Sequence, residues 1–263
     1  MSALSSPTPA VAEAIQNTRI NGHQVFLSTG RDLAIIGQDI LKLGFDGMIA
    51  SAGAYVSVGD TILLDRLLPE ELVQECLKVF HDAGMFCRIE TSEGIYTDPQ
   101  MEKLLRAASP APQNSELIRM QKEIGSGIHM QPYKDYPGQG AYKLCFTSRS
   151  LEPIREVEKI LGDRFEFVIH PYGNSTACFN GEIIPKGVDK GQGIELICQY
   201  LGVPVKDTIA FGDSMNDASM LKRAGSAVAM GNACDGLKAL SDIVCEDVSR
   251  DGVAMELHRM GLC

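Results

Sequence analysis

The 263-residue chain has no tryptophan, and tyrosine and phenylalanine together make up only 6% of it. Its interior must therefore rest mainly on aliphatic side chains. These bring the hydrophobic share to 44%, near that of a soluble globular chain and too high for a disordered one. No apolar run approaches the ~20 residues needed to span a bilayer, and the opening MSALSSPTPA lacks the basic and apolar segments of a secretory signal. A cytoplasmic protein with no membrane partner is the expectation. Eight cysteines, at 76, 87, 145, 178, 198, 234, 245 and 263, include no C-x-x-C pair and no histidine spacing suited to zinc. They read as free thiols in a reducing compartment; an even count also permits disulfides, although a chain of this length needs none to fold. Positive charge is scarce, 24 Lys+Arg against 34 Asp+Glu, for a net charge of −10. That balance excludes an extended basic face for nucleic acid, and an anionic substrate would need a local cation or a metal.

The two ends of the chain alternate short apolar strands with helices. Thr8 can cap a helix that has Pro9 at its first position and Gly22 past its end. Gln24 to Thr29 reads as a buried strand, Asp32 as the cap of a helix through Lys42 that closes at Gly44, and Gly47 to Ser51 as a second strand. From Thr208 the alternation returns, with strands at TIAF, SAVAM and DIV and helices over Ala218 to Arg223, near Gly236 and from Asp251. Such order indicates a parallel sheet covered on both faces. The middle has an α+β texture: a hairpin signal at Gly59-Asp60, helices over 69–82 and 151–161, and strands over 85–90, 126–131, 141–147, 164–170 and 175–179. Ser109 to Ser115 is expected to be a surface loop. The expected organisation is a core made of residues 1–64 and 180–263 with a second domain, 65–179, inserted between them.

Three segments could carry chemistry. TIAFGDSMND runs an apolar strand into Gly212 and then presents Asp213, Asn216 and Asp217 where ligands of open parallel sheets bind. These oxygen donors suit Mg2+; Asp and Asn there also make an ordinary turn and helix cap. Ser28-Thr29-Gly30-Arg31 closes a strand in the same way and offers a hydroxyl and free N–H groups to a phosphate, or is a plain strand-to-helix loop. Lys190, after the cap Asp189, stands in the first turn of a helix whose inner side carries Ile194, Ile197 and Leu201. A cation there opposes the helix dipole, a conflict that a bound anion would remove, unless the lysine is simply solvated. Met230-Gly231-Asn232-Ala233 and Asp251-Gly252-Val253 could line the same edge or serve as turns, and His129 and His170 read as structural histidines.

Taken together, STGR, GVDKG, GDSMNDASML, AVAMGNA and DGVA occur in the order and spacing of the haloacid dehalogenase superfamily, and the chain resembles most closely its Cof-type sugar-phosphatase branch. The resemblance runs from Ser5 onward and implies a Rossmann-like α/β core with an inserted α+β cap. It implies a phosphatase acting on small phosphorylated metabolites with Mg2+ as cofactor. On that resemblance Thr29, with Gly30, would bind the phosphoryl group, Lys190 would stabilise its charge, and Asn216 would contact the phosphate. Asp213 would hold the metal, with Asp217 supporting it.

Members of the superfamily open on a strand ending in D-x-D-G-T, whose first aspartate attacks phosphorus and whose second is general acid and base. Here the first aspartate is Asp32. The alignment of motifs expects the attacking residue to precede residue 1, which closes the phosphoaspartyl route to the chain as written. It also expects two neighbouring strands with unpaired backbone groups. Ser51-Ala52-Gly53-Ala54 stands where many relatives have Asn-Gly-Ala. Two readings follow: a Mg2+-dependent phosphatase that is inactive in this form, or a non-catalytic binder of phosphorylated ligands, a regulatory pseudo-phosphatase.

Overall fold

The Thr8 hydroxyl accepts the Val11 N–H at 3.3 Å and Pro9 fills the first helical position, which starts helix α1 (Pro9–Ile20) where the sequence expects it. The computed structural model describes residues 6–100, 103, 130–171 and 179–263. Strand β1 (Phe26–Ser28) follows. The next stretch departs from expectation: Asp32 does not cap a continuous helix. A single 3₁₀ turn (Leu33–Ile35) is followed by a break and then by the short helix α2 (Gln38–Leu41). The break falls at Gly37, a poor helix former whose extended backbone (φ −64°, ψ 144°) places it, and not Asp32, ahead of α2. Asp32 is buried instead. Strand β2 (Gly47–Ala50) pairs in parallel with β1 and antiparallel with β3 (Tyr55–Val58). The Gly59-Asp60 turn then leads into β4 (Thr61–Asp65), giving a four-stranded sheet in the order β1-β2-β3-β4.

Helix α3 (Glu70–Asp82) leads into β5 (Phe86–Glu90) and β6 (Ile95–Thr97), the latter not expected from sequence. Then come β7 (Met130–Pro132), β8 (Lys143–Ser148), helix α4 (Leu151–Leu161), β9 (Phe165–Pro171) and β10 (Phe179–Pro185). These strands form one sheet, β7-β6-β5-β8-β10-β9, antiparallel except between β6 and β7. Alternation along the strands sends Cys87, Ile89, Leu144, Phe146 and Ile183 to one face, where Val73, Leu77 and Phe80 of α3 and Ile154 and Val157 of α4 cover them. The other face carries Arg88, Glu90, Lys143, Cys145 and Glu182.

Helix α5 (Lys190–Leu201) precedes β11 (Ile209–Gly212), helix α6 (Ala218–Arg223), β12 (Ser226–Ala229), helix α7 (Asp235–Lys238), β13 (Ile243–Val244) and helix α8 (Gly252–Arg259). The three strands form a parallel sheet in sequence order. Ile194 of α5 packs against both Ile49 and Val56 of the first sheet and Ala210 and Leu221 beside the last one, so this helix serves both parallel regions. On α1, Ala14 packs with Ala254 and Leu257 of α8.

The chain forms two compact units. One comprises Met1–Arg31, Ile36–Asp65 and Val188–Cys263, and the other Asp32–Ile35 and Arg66–Gly187. The expected boundary after residue 179 falls inside β10, which pairs with β8 and β9 and so carries Asn180 to Pro185 into the second unit. The expected strands over 126–131 and 175–179 are described only from Met130 and only at Phe179; the Ser109 to Ser115 loop and His129 lie outside the described residues. The seven described cysteines are free, and no described helix is long and apolar enough to cross a membrane.

Candidate active site

The Asp189 carboxylate accepts the Gln192 N–H at 2.9 Å and starts α5, which leaves Lys190 in the first turn as the sequence suggests. The lysine is 4% exposed. Its ammonium donates to Asp217 Oδ1 at 2.6 Å and to Asn216 Oδ1 at 3.3 Å. The conflict with the helix dipole is thus relieved by a side-chain carboxylate of the chain itself. Asp217 is held in turn by its other oxygen, which accepts the backbone N–H groups of Asp213 at 3.0 Å and Ser214 at 3.2 Å in a reciprocal cap. This fold-back needs Gly212: a Cβ there would stand 2.7 Å from that of Asp217.

Asp213 extends from the end of β11. Burial, then the charge of Asp217, raise its carboxyl above the usual range, with Lys190 and the side chain of Asn232 opposing the shift. Asn232 is itself oriented by accepting the Val248 N–H at 3.1 Å. Sequence reasoning left this asparagine as either edge or turn; the signal for it was a carboxamide just past a strand that runs in register with β11. Asp251 has the other fate. It accepts the Thr8 hydroxyl at 2.6 Å, so the Asp251-Gly252-Val253 segment ties α8 to the start of α1 and does not join the site.

Thr29 ends β1. Its N–H donates to the Ile49 carbonyl at 2.8 Å and its hydroxyl accepts the Arg31 N–H at 3.1 Å. A Cβ on Gly30 would lie 3.5 Å from Asn216 Nδ2, which sets the Thr29-Gly30 loop beside the Asn216-Lys190-Asp217 group. The turn after β2 links the two. Ser51, Ala52 and Gly53 all have left-handed backbones (φ 50°, 58° and 110°). Ala52 N–H donates to the Thr29 carbonyl at 3.2 Å and Ser51 N–H to that of Arg31 at 2.9 Å. Gly53 packs so closely on the Asp189-Lys190 backbone that a Cβ would come within 2.4 Å of the Asp189 carbonyl oxygen. Nothing in the sequence marks Ser51 and Ala52 for this conformation, which costs a non-glycine residue about 1–2 kcal/mol.

The assembled group offers a hydroxyl, a carboxamide, a buried ammonium and one carboxylate without a lysine partner, a set that suits an oxyanion shared with a cation. Among the described residues no three His, Cys, Asp or Glu side chains gather as a metal cage. Asp213 would supply one hard oxygen donor, held in a largely buried place beside the Asp217 carboxylate. That fits Mg2+, which is commonly held by one or two carboxylates together with substrate phosphate oxygens.

The second unit carries a separate charged cluster that sequence reasoning missed. Arg88 pairs with Glu90, and Lys143 with Glu182 at 2.8 Å and Glu90 at 3.4 Å, while the Cys145 thiol donates to Glu90 at 3.3 Å. Burial works against the Lys143 charge, but Glu182 and Glu90 overcome it and hold the ammonium well above its ordinary range. The signal was available as charges at alternate positions of apolar strands. Cross-strand register, which brings Glu90 opposite Lys143 and Cys145 opposite Glu182, was not.

Residues 4–257 match the family model of haloacid dehalogenase-like hydrolases. The chain is 28% identical over 244 residues to YkrA of Bacillus subtilis (strain 168), covering 92% of this chain and 86% of that protein. It is 28% identical over 234 residues to the HMP-PP phosphatase of Yersinia enterocolitica, covering 87% and 79%. Among solved structures, a Geobacillus kaustophilus HTA426 protein superposes with a TM-score of 0.77 at 24% identity over 97% of this chain and 92% of that one. The HAD subclass IIB sugar phosphatase BT4131 does so at 0.74, also with 24% identity and the same coverage. Motif order, fold and these matches agree, and the chain belongs to the haloacid dehalogenase-like hydrolases of the Cof type.

Proposed function

We propose that the site around Lys190 binds the phosphoryl group of a small phosphorylated metabolite in the cytoplasm, and that the chain works as a Mg2+-assisted phosphatase once an attacking carboxylate is supplied. The observation that carries this is the nearly buried Lys190 ammonium, fixed by Asp217 and Asn216 beside the Thr29-Gly30 loop. Thr29 donates its hydroxyl hydrogen to a phosphate oxygen, Asn216 offers its amide, and Lys190 offsets the charge. Asp213 holds Mg2+, which when bound neutralises further phosphate charge. We read residues 66–187 as the inserted cap of the family, and the names of the Yersinia and BT4131 relatives support a phosphorylated small molecule as the ligand class.

A specific observation favours a binding role for the described residues on their own. Asp217 is engaged by Lys190 and two backbone amides, and Asp213 by Asn232, so neither carboxylate is free to attack phosphorus. Titration with inorganic phosphate in Mg2+ tests the site: saturable binding that Thr29→Ala weakens about tenfold is expected, and equal binding by the variant overturns it. Turnover of an aryl phosphate by the chain alone, abolished by Asp213→Ala, would overturn the binding-only reading.

A further inference from the structure

Between helix α3 and the 3₁₀ turn Tyr133–Asp135 lies a cavity of about 430 Å3, lined by residues of the second unit. Leu77 and Ile89, both buried, form its floor. The rings of Tyr133 and Tyr136 stand on one side, and Gln74, Lys78 and His81 stand exposed on the other, along one stripe of α3. A chain with seven tyrosines and no tryptophan gathers three tyrosines here: Tyr96 meets Tyr136 edge-on with ring centroids 5.3 Å apart, and Tyr133 meets the His81 ring at 5.7 Å. The polar ends of both lining tyrosines are turned away. Tyr136 Oη accepts the Gly140 N–H at 3.1 Å, and the Tyr133 hydroxyl is buried beside the Cys87 thiol. Ring surface, not hydroxyl, therefore faces the cavity. Negative charge surrounds these rings. The Glu70 carboxylate lies against Gly138, where a Cβ would stand 2.6 Å from its Oε2, two residues from Tyr136. Burial, then Cys87 and Asp98, lift the Tyr133 phenol above its ordinary range; burial, then Glu70, lift that of Tyr136 against the Gly140 amide. At the mouth the Lys78 ammonium is paired with Asp82, which offsets its charge.

We propose that this cavity is a binding site for an organic cation with an alkylated ammonium head. Its volume falls in the range of roughly 300–1,000 Å3 usual for small-molecule sites, and chemistry narrows the class. The surrounding carboxylates disfavour an anion. A primary amine would give up water at three N–H donors with no hydroxyl turned toward it. A quaternary head carries no N–H: its methyl groups suit the Leu77 and Ile89 floor, and its charge is drawn to the faces of Tyr133 and Tyr136. Gln74, exposed at the mouth, offers an amide to a polar tail. None of these residues belongs to the group around Lys190, so this site and the phosphatase reading stand or fall separately.

The probe is choline, added to the full chain at matched ionic strength and compared with its neutral isostere, in which carbon replaces the nitrogen. Chemical shifts of leucine and isoleucine methyl groups and of tyrosine rings report where each binds. Choline is expected to shift Leu77, Ile89, Tyr133 and Tyr136 saturably and to bind at least about threefold tighter than the isostere. Gln74→Arg, a change at an exposed position that adds a cation at the mouth, should weaken choline about fivefold and leave the isostere unaffected. Tyr133→Leu keeps apolar bulk but loses the ring and should erase the preference for choline. Equal binding of the two probes, shifts that fail to saturate or that fall outside the cavity, or unchanged choline affinity in Gln74→Arg overturns the proposal.

Discussion

Lys190 and Asp217 neutralise one another where water is nearly excluded, so their removal is expected to be asymmetric. Lys190→Ala leaves a buried carboxylate with two amides but no cation and should cost about 3–5 kcal/mol, whereas the apolar double variant Lys190→Met/Asp217→Leu should cost less than the sum of the single changes. Urea unfolding of the three variants checks this. The left-handed turn gives a second asymmetry. Ala52→Gly relieves backbone strain and should raise stability by about 0.5–1 kcal/mol, since glycine's greater freedom in the unfolded chain takes back part of the gain. Gly53→Ala should lower both stability and phosphate affinity, because the new Cβ collides with the Asp189 carbonyl and displaces Lys190. At this scale the sequence was legible for residue identity and not for arrangement. Asp213, Asn216, Asp217, Thr29 and Lys190, singled out in the sequence, come together in one group. The partnership of Lys190 with Asp217 across 26 intervening positions, the grip of Asn232 on Asp213, and the strain at Ser51 and Ala52 depend on tertiary packing that no local preference encodes.

Among the elements, those whose caps and periodicity agreed were readable: α1 from Thr8 and Pro9, α3 and α4 from their apolar stripes, α6 to within the residue. The stretch from Asp32 to Lys42 failed because Gly37 breaks the helix and burial claims the aspartate that looked like its cap. Strand β6 was missed because three residues are too few for a period to show, and the end of the inserted region was set too early because Gly181 and Glu182 interrupt the apolar run of β10. One interelement contact carries a pH prediction. Burial pushes Asp46 up, but the Arg19 guanidinium of α1, at 2.6 Å, and the Val25 N–H, at 2.8 Å, bring it below the ordinary carboxylate range. A carboxyl depressed in the folded state stabilises above its unfolded value, about 4, and that contribution is lost as pH falls through the folded value. Asp46→Asn should therefore destabilise at pH 7 and flatten the acid limb of a stability profile taken from pH 6 to 2.

For the whole molecule, a core assembled from separated segments and a second unit that is nearly one continuous segment suggest separable effects. Phe80, fully buried and stacked on Phe146 with ring centroids 5.5 Å apart, anchors the second unit alone. Phe80→Ala should cost about 3–5 kcal/mol, lowering the calorimetric transition of that unit while leaving the inorganic phosphate titration near wild type. A parallel loss of phosphate binding would show the units to be thermodynamically coupled.

The bonds from Thr8 to Asp251 and from Asn21 to the Leu262 carbonyl join residues 243 and 241 positions apart. During synthesis, α1 precedes its partner helix by the 243 positions between Thr8 and Asp251 and waits for it while the whole of the second unit is made. At about 5–20 residues per second that interval is on the order of 10–50 s, long enough for Arg66–Gly187 to fold first. The apolar face of α1, with Ala14 and Ile15, is left without α8 throughout, which makes it a natural place for a chaperone to hold the nascent chain.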